Sequence, residues 1–378
     1  MKKQEPSKLV EFNNLPKDII FDIFSRIPLK TLCQFRVVCK KWQFHLCRNP
    51  EFRVFYHKKH KINPILIFNQ QNTENPSTQL SSYFIDGTRL SQISTNFAQP
   101  LVSIFTCNGI LCLISKTNVF LYDPITKLLS NLPNSKRFKS TFSWAFGYSK
   151  FRNVFKLLHF YTIEKFDNFH YCPINEVICE ILSKPISDLW VDSLEEWRNL
   201  GNCPYEFLGR KNYAFVDGKF YWLVRENKFN FHCIRVMSFH LETEIFGIVC
   251  FSRNFSDRSV ECLDLVEIRD RLCMTDRLPG QSSMNIWMMV KEDDGFANLW
   301  VKKYEIDLNG IDHHDVRILG HFPRRNNDDD DDEGEILMKI GQSFGFYELE
   351  NGVYREMTSE VNKQEWGLQL LLNRKSIL

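Results

Sequence analysis

The sequence predicts an α+β multidomain chain: a small N-terminal module of three helices, then an all-β, propeller-like domain of repeated antiparallel units. Three observations carry this. Apolar residues recur at helical spacing between residues 15 and 46; after residue 61 the pattern changes to short runs rich in Val, Ile, Phe, Tyr and Trp; and those runs repeat loosely in order. At 378 residues and 43% hydrophobic content, the chain is long enough for two or three domains and a sizeable core.

Residues 1–10 read as a flexible tail and 11–57 as the helical module. Ile19, Ile20, Ile23, Phe24 and Ile27 follow at steps of one, three, one and three, the stripe of an amphipathic helix. Leu15 and Pro16 open it. Pro16 suits the first helical turn, where its missing N–H would have had no intrahelical partner, and Asp18 favours the positive end of the dipole. Pro28 is expected to close the helix, because the residue before a proline is pushed out of the helical region. Leu32, Phe35, Val38, Trp42 and Leu46 form a second apolar face at steps of three, three, four and four. So few residues cannot bury that much apolar surface among themselves. Some of these side chains must pack internally and the rest must be covered by a partner, so the module reads as a docking element.

Residues 62–378 read as the β domain. Strands of this type gain from aromatic and β-branched cross-strand packing, and the 33 phenylalanines supply much of it. NGILCLISKTNVFLYDPITKLLSNLP at 108–133 has a Gly-led strand, an aromatic strand and a return strand. DGKFYWLV at 217–224 with VMSFHLETEIFGIVCF at 236–251 has the same order, placing His240-Leu241-Glu242-Thr243 where the first has Asp123-Pro124-Ile125-Thr126. RDRLCMT at 269–275 with WVKKYEIDLNG at 300–310, and GEILMKIG at 334–341 with FGFYELENGVYREM at 344–357, read as further versions. VFKLLHFY at 154–161, VICEIL at 177–182 and LWVDSLEEWRNL at 189–200 read as one more. A unit of three or four strands cannot hide both faces, so it must stack on its neighbours, and radial stacking of five to seven units is expected. The absence of diglycine pairs and of a Trp-Asp dipeptide argues against ordinary kelch and WD repeats.

The order Leu15-Pro16, paired aliphatics, Ile27-Pro28, then Leu32-x-x-Phe35-Arg36-x-Val38-Cys39-Lys40-x-Trp42 resembles the F-box of plant F-box proteins. That resemblance implies a Skp-type adaptor as partner, bound by Leu15, Pro16, Ile19, Ile20, Ile23, Phe24, Ile27, Pro28, Leu32, Val38, Cys39 and Trp42, and through it cullin and RING subunits. The segments TCNGILCL at 106–113, LYDPITK at 121–127, FGYSKFRNVFKLL at 146–158, FVDGKFYWL at 215–223 and SFHLETE at 238–244 resemble the F-box-associated domain of the same plant family. SLEEWR at 193–198 is shorter than the family's form, Asp123 stands where Asn is common, and residues 62–100 match least.

The charge is uneven. Residues 1–61 hold fourteen Lys and Arg against five Asp and Glu, a local +9 in a chain of net +2, which suits the acidic adaptor that the resemblance implies. The HKKHK run at 57–61 lacks a surrounding nucleic-acid motif, so no nucleic-acid partner is expected. The N-terminus has no apolar core of signal-peptide length, and no apolar run approaches the roughly 18 residues of a membrane span, so a cytoplasmic or nuclear protein with no membrane partner is expected. Twelve scattered cysteines without a C-x-x-C read as buried thiols in a reducing compartment. The acidic run at 328–333, within a loop expected at about 326–335, has Ile340 where an EF-hand needs its twelfth-position Glu, and reads as a solvated loop.

No P-loop, dinucleotide fingerprint, nucleophile elbow or H-E-x-x-H is present, and the resemblance brings no catalytic residue, metal or cofactor. The expectation is a non-catalytic substrate receptor of an SCF-type ubiquitin ligase, presenting an unknown target protein for ubiquitination and degradation. Two alternatives stand beside it: a non-degradative F-box scaffold, and a glycan- or small-molecule-binding propeller with Trp144, Trp190, Trp287 or Trp300 as platforms.

Overall fold

The computed structural model describes residues 15–27, single positions 31, 32, 35, 38, 39, 42 and 52, then 65–71, 78–86, 89–97, 100–123, 127–138, 141–167, 172–191, 195–208, 213–225, 234–249, 262–277, 281–291, 298–309, 316–322, 334–341, 343–357 and 367–371. Of the three expected helices, α1 spans Lys17–Ser25. Thr31, Leu32, Phe35, Trp42 and Phe52 have helical backbone, and the bounds of their helices lie outside the described residues. Pro28, the HKKHK run and the acidic run 328–333 also lie outside them.

From residue 65 onward the described chain forms six antiparallel sheets, or blades. Blade 1 combines β1 (Ile65–Gln71), β2 (Thr78–Asp86) and β3 (Arg89–Phe97) with β25 (Gly367–Leu371). Blade 2 holds β4 (Leu101–Cys107), β5 (Ile110–Ser115), β6 (Val119–Tyr122) and β7 (Leu129–Leu132). Blade 3 holds β8 (Thr141–Ser149), β9 (Val154–Asp167), β10 (Cys172–Pro185) and β11 (Arg198–Asn202). Blade 4 holds β12 (Glu206–Phe207), β13 (Ala214–Val216), β14 (Lys219–Arg225), β15 (Ile234–His240) and β16 (Ile245–Val249). Blade 5 holds β17 (Leu263–Ile268), β18 (Arg271–Asp276), β19 (Ser283–Lys291) and β20 (Asn298–Asp307). Blade 6 holds β21 (Val316–Phe322), β22 (Glu335–Ile340), β23 (Ser343–Glu348) and β24 (Tyr354–Glu356).

The blades form a closed ring. β4 adjoins β8, β13 adjoins β17, β17 adjoins β21, and β25 adjoins both β21 and β4. Blades 3 and 4 are tied by Tyr213, whose hydroxyl accepts the Phe146 N–H at 3.0 Å and donates to the Phe146 carbonyl at 3.1 Å. Closure is made by the C-terminal strand, which pairs with β1 from Ile65↔Leu371 to Asn69↔Gly367. A ring of this kind leaves no fully exposed sheet face, which is how a small antiparallel unit becomes stable.

The core is distributed in layers between blades. Leu272 and Met274 on β18 pack with blade 4, whereas Cys273 between them packs with blade 6, the two-residue alternation of a strand buried on both faces. Blades 2 and 3 share a layer that includes Cys112, Leu121, Trp144 and Phe155, and blades 3 and 4 share one built on Phe160, Trp222, Met237 and Phe239.

The expected repeats correspond to the second, third and fourth strands of a blade, and the first strand was not part of them. In blade 5 WVKKYEIDLNG is the outer strand β20, not the third strand, which is β19. In blade 3 residues 189–191 and 195–197 are not strand, and β11 begins at Arg198. The equivalence of Asp123 and His240 does hold: Lys127 N–H donates to Asp123 O at 2.7 Å, and Glu244 N–H to His240 O at 2.7 Å. Gly352 closes the same five-residue turn in blade 6 on Glu348 O at 3.0 Å. The turn-closing residues have φ of 57°, 59° and 67°.

Candidate functional site

α1 begins differently from expectation in one detail. Pro16 is the N-cap, with φ −55° and ψ 148°, so it stands just outside the helix, and its carbonyl accepts the N–H groups of Ile19 and Ile20 at 3.1 and 3.2 Å. The helix ends at Ser25, three residues before Pro28. Arg26 and Ile27 N–H close the last turn on Ile23 and Phe24 carbonyls at 3.2 Å each. Arg26 also reaches back one turn to Asp22 Oδ2 at 2.7 Å.

The helix divides its apolar residues between two faces. Ile20, Phe21 and Phe24 are buried with Leu32 and Phe52 in a small core, against which Leu15, Ile27, Phe35 and Trp42 are half-buried. Aromatic edges organise that core: the Phe24 ring meets Trp42 at 5.0 Å and Phe52 at 6.0 Å, and Phe21 meets Phe52 at 5.2 Å. The opposite face keeps Ile19 47% exposed and Ile23 38% exposed, with Val38 60% exposed on the following segment. Pro16 and Cys39 are exposed as well. Of the twelve residues expected at an adaptor surface, Ile20, Phe24 and Leu32 are thus core, and Pro16, Ile19, Ile23, Val38 and Cys39 face outward. Phe21 joins the core although the expected stripe omitted it.

In the propeller, buried His159 and Lys184 both have structural partners. His159 is fully buried, stacks on Trp144 at 4.0 Å, and has Nδ1 2.8 Å from Glu180 Oε1. Lys184 donates to Val191 O at 2.8 Å and pairs with Glu195 at 3.1 Å. Trp144 and Trp300 are buried, and Trp190 and Trp287 are partly buried against blade cores, so none of the four is an open sugar platform. Among the described residues no His, Cys, Asp and Glu side chains gather at a metal-binding spacing, and no helix is long and apolar enough to cross a membrane.

A family described as the F-box associated beta propeller domain matches residues 53–362, and the F-box domain matches residues 12–53. The chain belongs to the F-box-associated propeller family. This F-box protein is 25% identical over 313 residues to the F-box protein At3g07870 of Arabidopsis thaliana, across 78% of this chain and 72% of that one. It is 24% identical over 310 residues to the putative F-box/kelch-repeat protein At3g17540 of the same plant, across 78% and 73% of the two chains. Among solved structures, the β-propeller domain of the Trilobed protease from Pyrococcus furiosus aligns at TM-score 0.40 and 10% identity over 79% of each chain.

Proposed function

We propose that this F-box protein is the substrate-recognition subunit of an SCF-type ubiquitin ligase. Its F-box would dock on a Skp-type adaptor, its propeller would hold a target protein, and the target's lysines would be presented at high effective concentration to a ubiquitin-charged enzyme elsewhere in the assembly. Cullin and RING subunits would be reached through the adaptor, and the setting would be cytoplasm or nucleus. This polypeptide breaks no bond in that scheme.

The observation that carries the reading is the division of α1 into a buried face and an exposed apolar one. Covering the parts of Ile19, Ile23 and Val38 that remain exposed would contribute on the order of 2–4 kcal/mol. Association costs ~4–15 kcal/mol. Three anchors alone are therefore insufficient, and the half-buried Leu15 and Ile27 at the edge of the core, with the module's positive charge, are needed to complete the interface.

The test is co-purification of tagged full-length chain from plant cells with the proteasome inhibited, wild type against Leu15→Ala with Pro16→Ala. Adaptor and cullin retained by wild type and lost from the variant would support the reading. Their absence from wild type would overturn it.

A further inference from the structure

The turn joining β8 to β9 holds Phe151 87% exposed, between the exposed Lys150 and Arg152. Scattered exposed apolar residues are ordinary on protein surfaces. This one differs in how its turn is fixed. The buried Ser149 hydroxyl lies 2.8 Å from both Glu242 carboxylate oxygens and accepts the Arg152 N–H at 3.3 Å. Phe151 N–H donates to Glu242 Oε1 at 3.3 Å. On the far side, Tyr148 OH donates to Asn153 Oδ1 at 2.7 Å, and Asn153 O accepts the Ile186 N–H at 3.1 Å. Glu242 belongs to blade 4, so two blades together hold one aromatic ring out in water. Neither the Lys150 nor the Arg152 side chain has an ion-pair partner among the described residues.

A turn whose backbone is this constrained loses little backbone freedom when its exposed side chain is covered, and an aromatic ring has only two χ angles to fix, which makes it an efficient anchor. From this we infer that Lys150-Phe151-Arg152 is a target-recognition tip. Its partner is a protein segment whose apolar side chains pack on the Phe151 ring and whose carboxylates meet the two flanking cations. The inference rests on the reading of the propeller as the target-holding body.

The experiment selects a random peptide library displayed on phage against the purified full-length chain, with adaptor binding measured on the same preparations. Clones that combine apolar residues with Asp or Glu are expected. Their retention should fall at least about tenfold on Phe151→Ala, as for a binding hot spot, fall also on Lys150→Glu with Arg152→Glu, and weaken at high salt. Glu242→Gln, which loosens the turn and keeps the ring, should weaken retention by less. Failure to enrich any clone, enrichment of basic clones, or equal retention on Phe151→Ala overturns the tip assignment. If adaptor binding persists in those cases, only this assignment falls; a wild-type chain that binds no adaptor counts against the receptor reading instead.

Discussion

Lys156 Nζ on β9 pairs with Glu244 Oε1 across the boundary between blades 3 and 4 at 2.8 Å, although the lysine side chain is only 1% exposed. The same nitrogen donates to Leu241 O at 2.5 Å, and Arg198 pairs with the other Glu244 oxygen. The turn that carries Glu242 is thereby clamped to blade 3, the surface that supports the Phe151 tip.

Removing one partner of a buried pair strands the other, so Glu244→Gln should destabilise by about 3 kcal/mol, toward the lower end for such pairs because Arg198 is exposed. Lys156→Met with Glu244→Leu should cost less than Glu244→Gln alone. Thermal unfolding of the three proteins checks the order.

The pair also sets a pH dependence. Burial opposes ionisation of Glu244, but hydrogen bonds and charge from Lys156 and Arg198 outweigh it and hold the carboxyl below its ordinary 4.5. A carboxyl whose pKa is lower folded than unfolded contributes fully above the unfolded value and loses that contribution as pH falls through the folded one. The stability gap between wild type and Glu244→Gln should therefore be constant above about pH 5 and shrink below 4.5. A gap independent of pH down to 3 would contradict this.

Thiol reactivity should separate the described cysteines. Cys39 is exposed. Burial raises Cys107 and Cys273 from 9.0 to about 12, partly offset at each by a backbone hydrogen bond. With roughly a thousandfold less thiolate, these two should resist alkylation in the folded protein and react on unfolding, as peptide mass spectrometry would show, while Cys39 labels at once.

Gly147 shows how closely the blades approach. A Cβ there would lie 2.6 Å from Phe220 Cζ and 3.0 Å from Leu241 and Phe215 side chains. Gly147→Ala should destabilise by about 1–3 kcal/mol through overpacking, measured by denaturant midpoint. An unchanged midpoint would show that blades 3 and 4 have room to separate.

Much of this fold was legible in the residues themselves. The stripe of α1 and the second and third strands of most blades were readable because their apolar patterns are long, as in Lys219–Arg225 and Ile234–His240. First strands were not. β13 is only Ala214–Val216, and its assignment depends on Val216 packing against another blade rather than on any local pattern. Closure by Gly367–Leu371 joins residues about three hundred positions apart, which no periodicity reveals. At the F-box the apolar set was visible, but its division was not: Ile19 and Ile20 are adjacent and equally apolar, and only the placement of Leu32 and Phe52 decides which is covered. Phe151 lies in the landmark segment 146–158, but nothing in the sequence set it apart there, because one phenylalanine among 33 is marked only by its exposure.

The most direct test of the central claim is the affinity of a purified Skp-type adaptor for full-length wild type, Ile19→Ser with Ile23→Ser, and Ile245→Ser, the last on the 65% exposed apolar position of an outer propeller strand. The F-box double variant is expected to keep its thermal midpoint and lose adaptor affinity by about tenfold or more, while Ile245→Ser changes neither. Undiminished affinity in a folded Ile19→Ser, Ile23→Ser protein would contradict it.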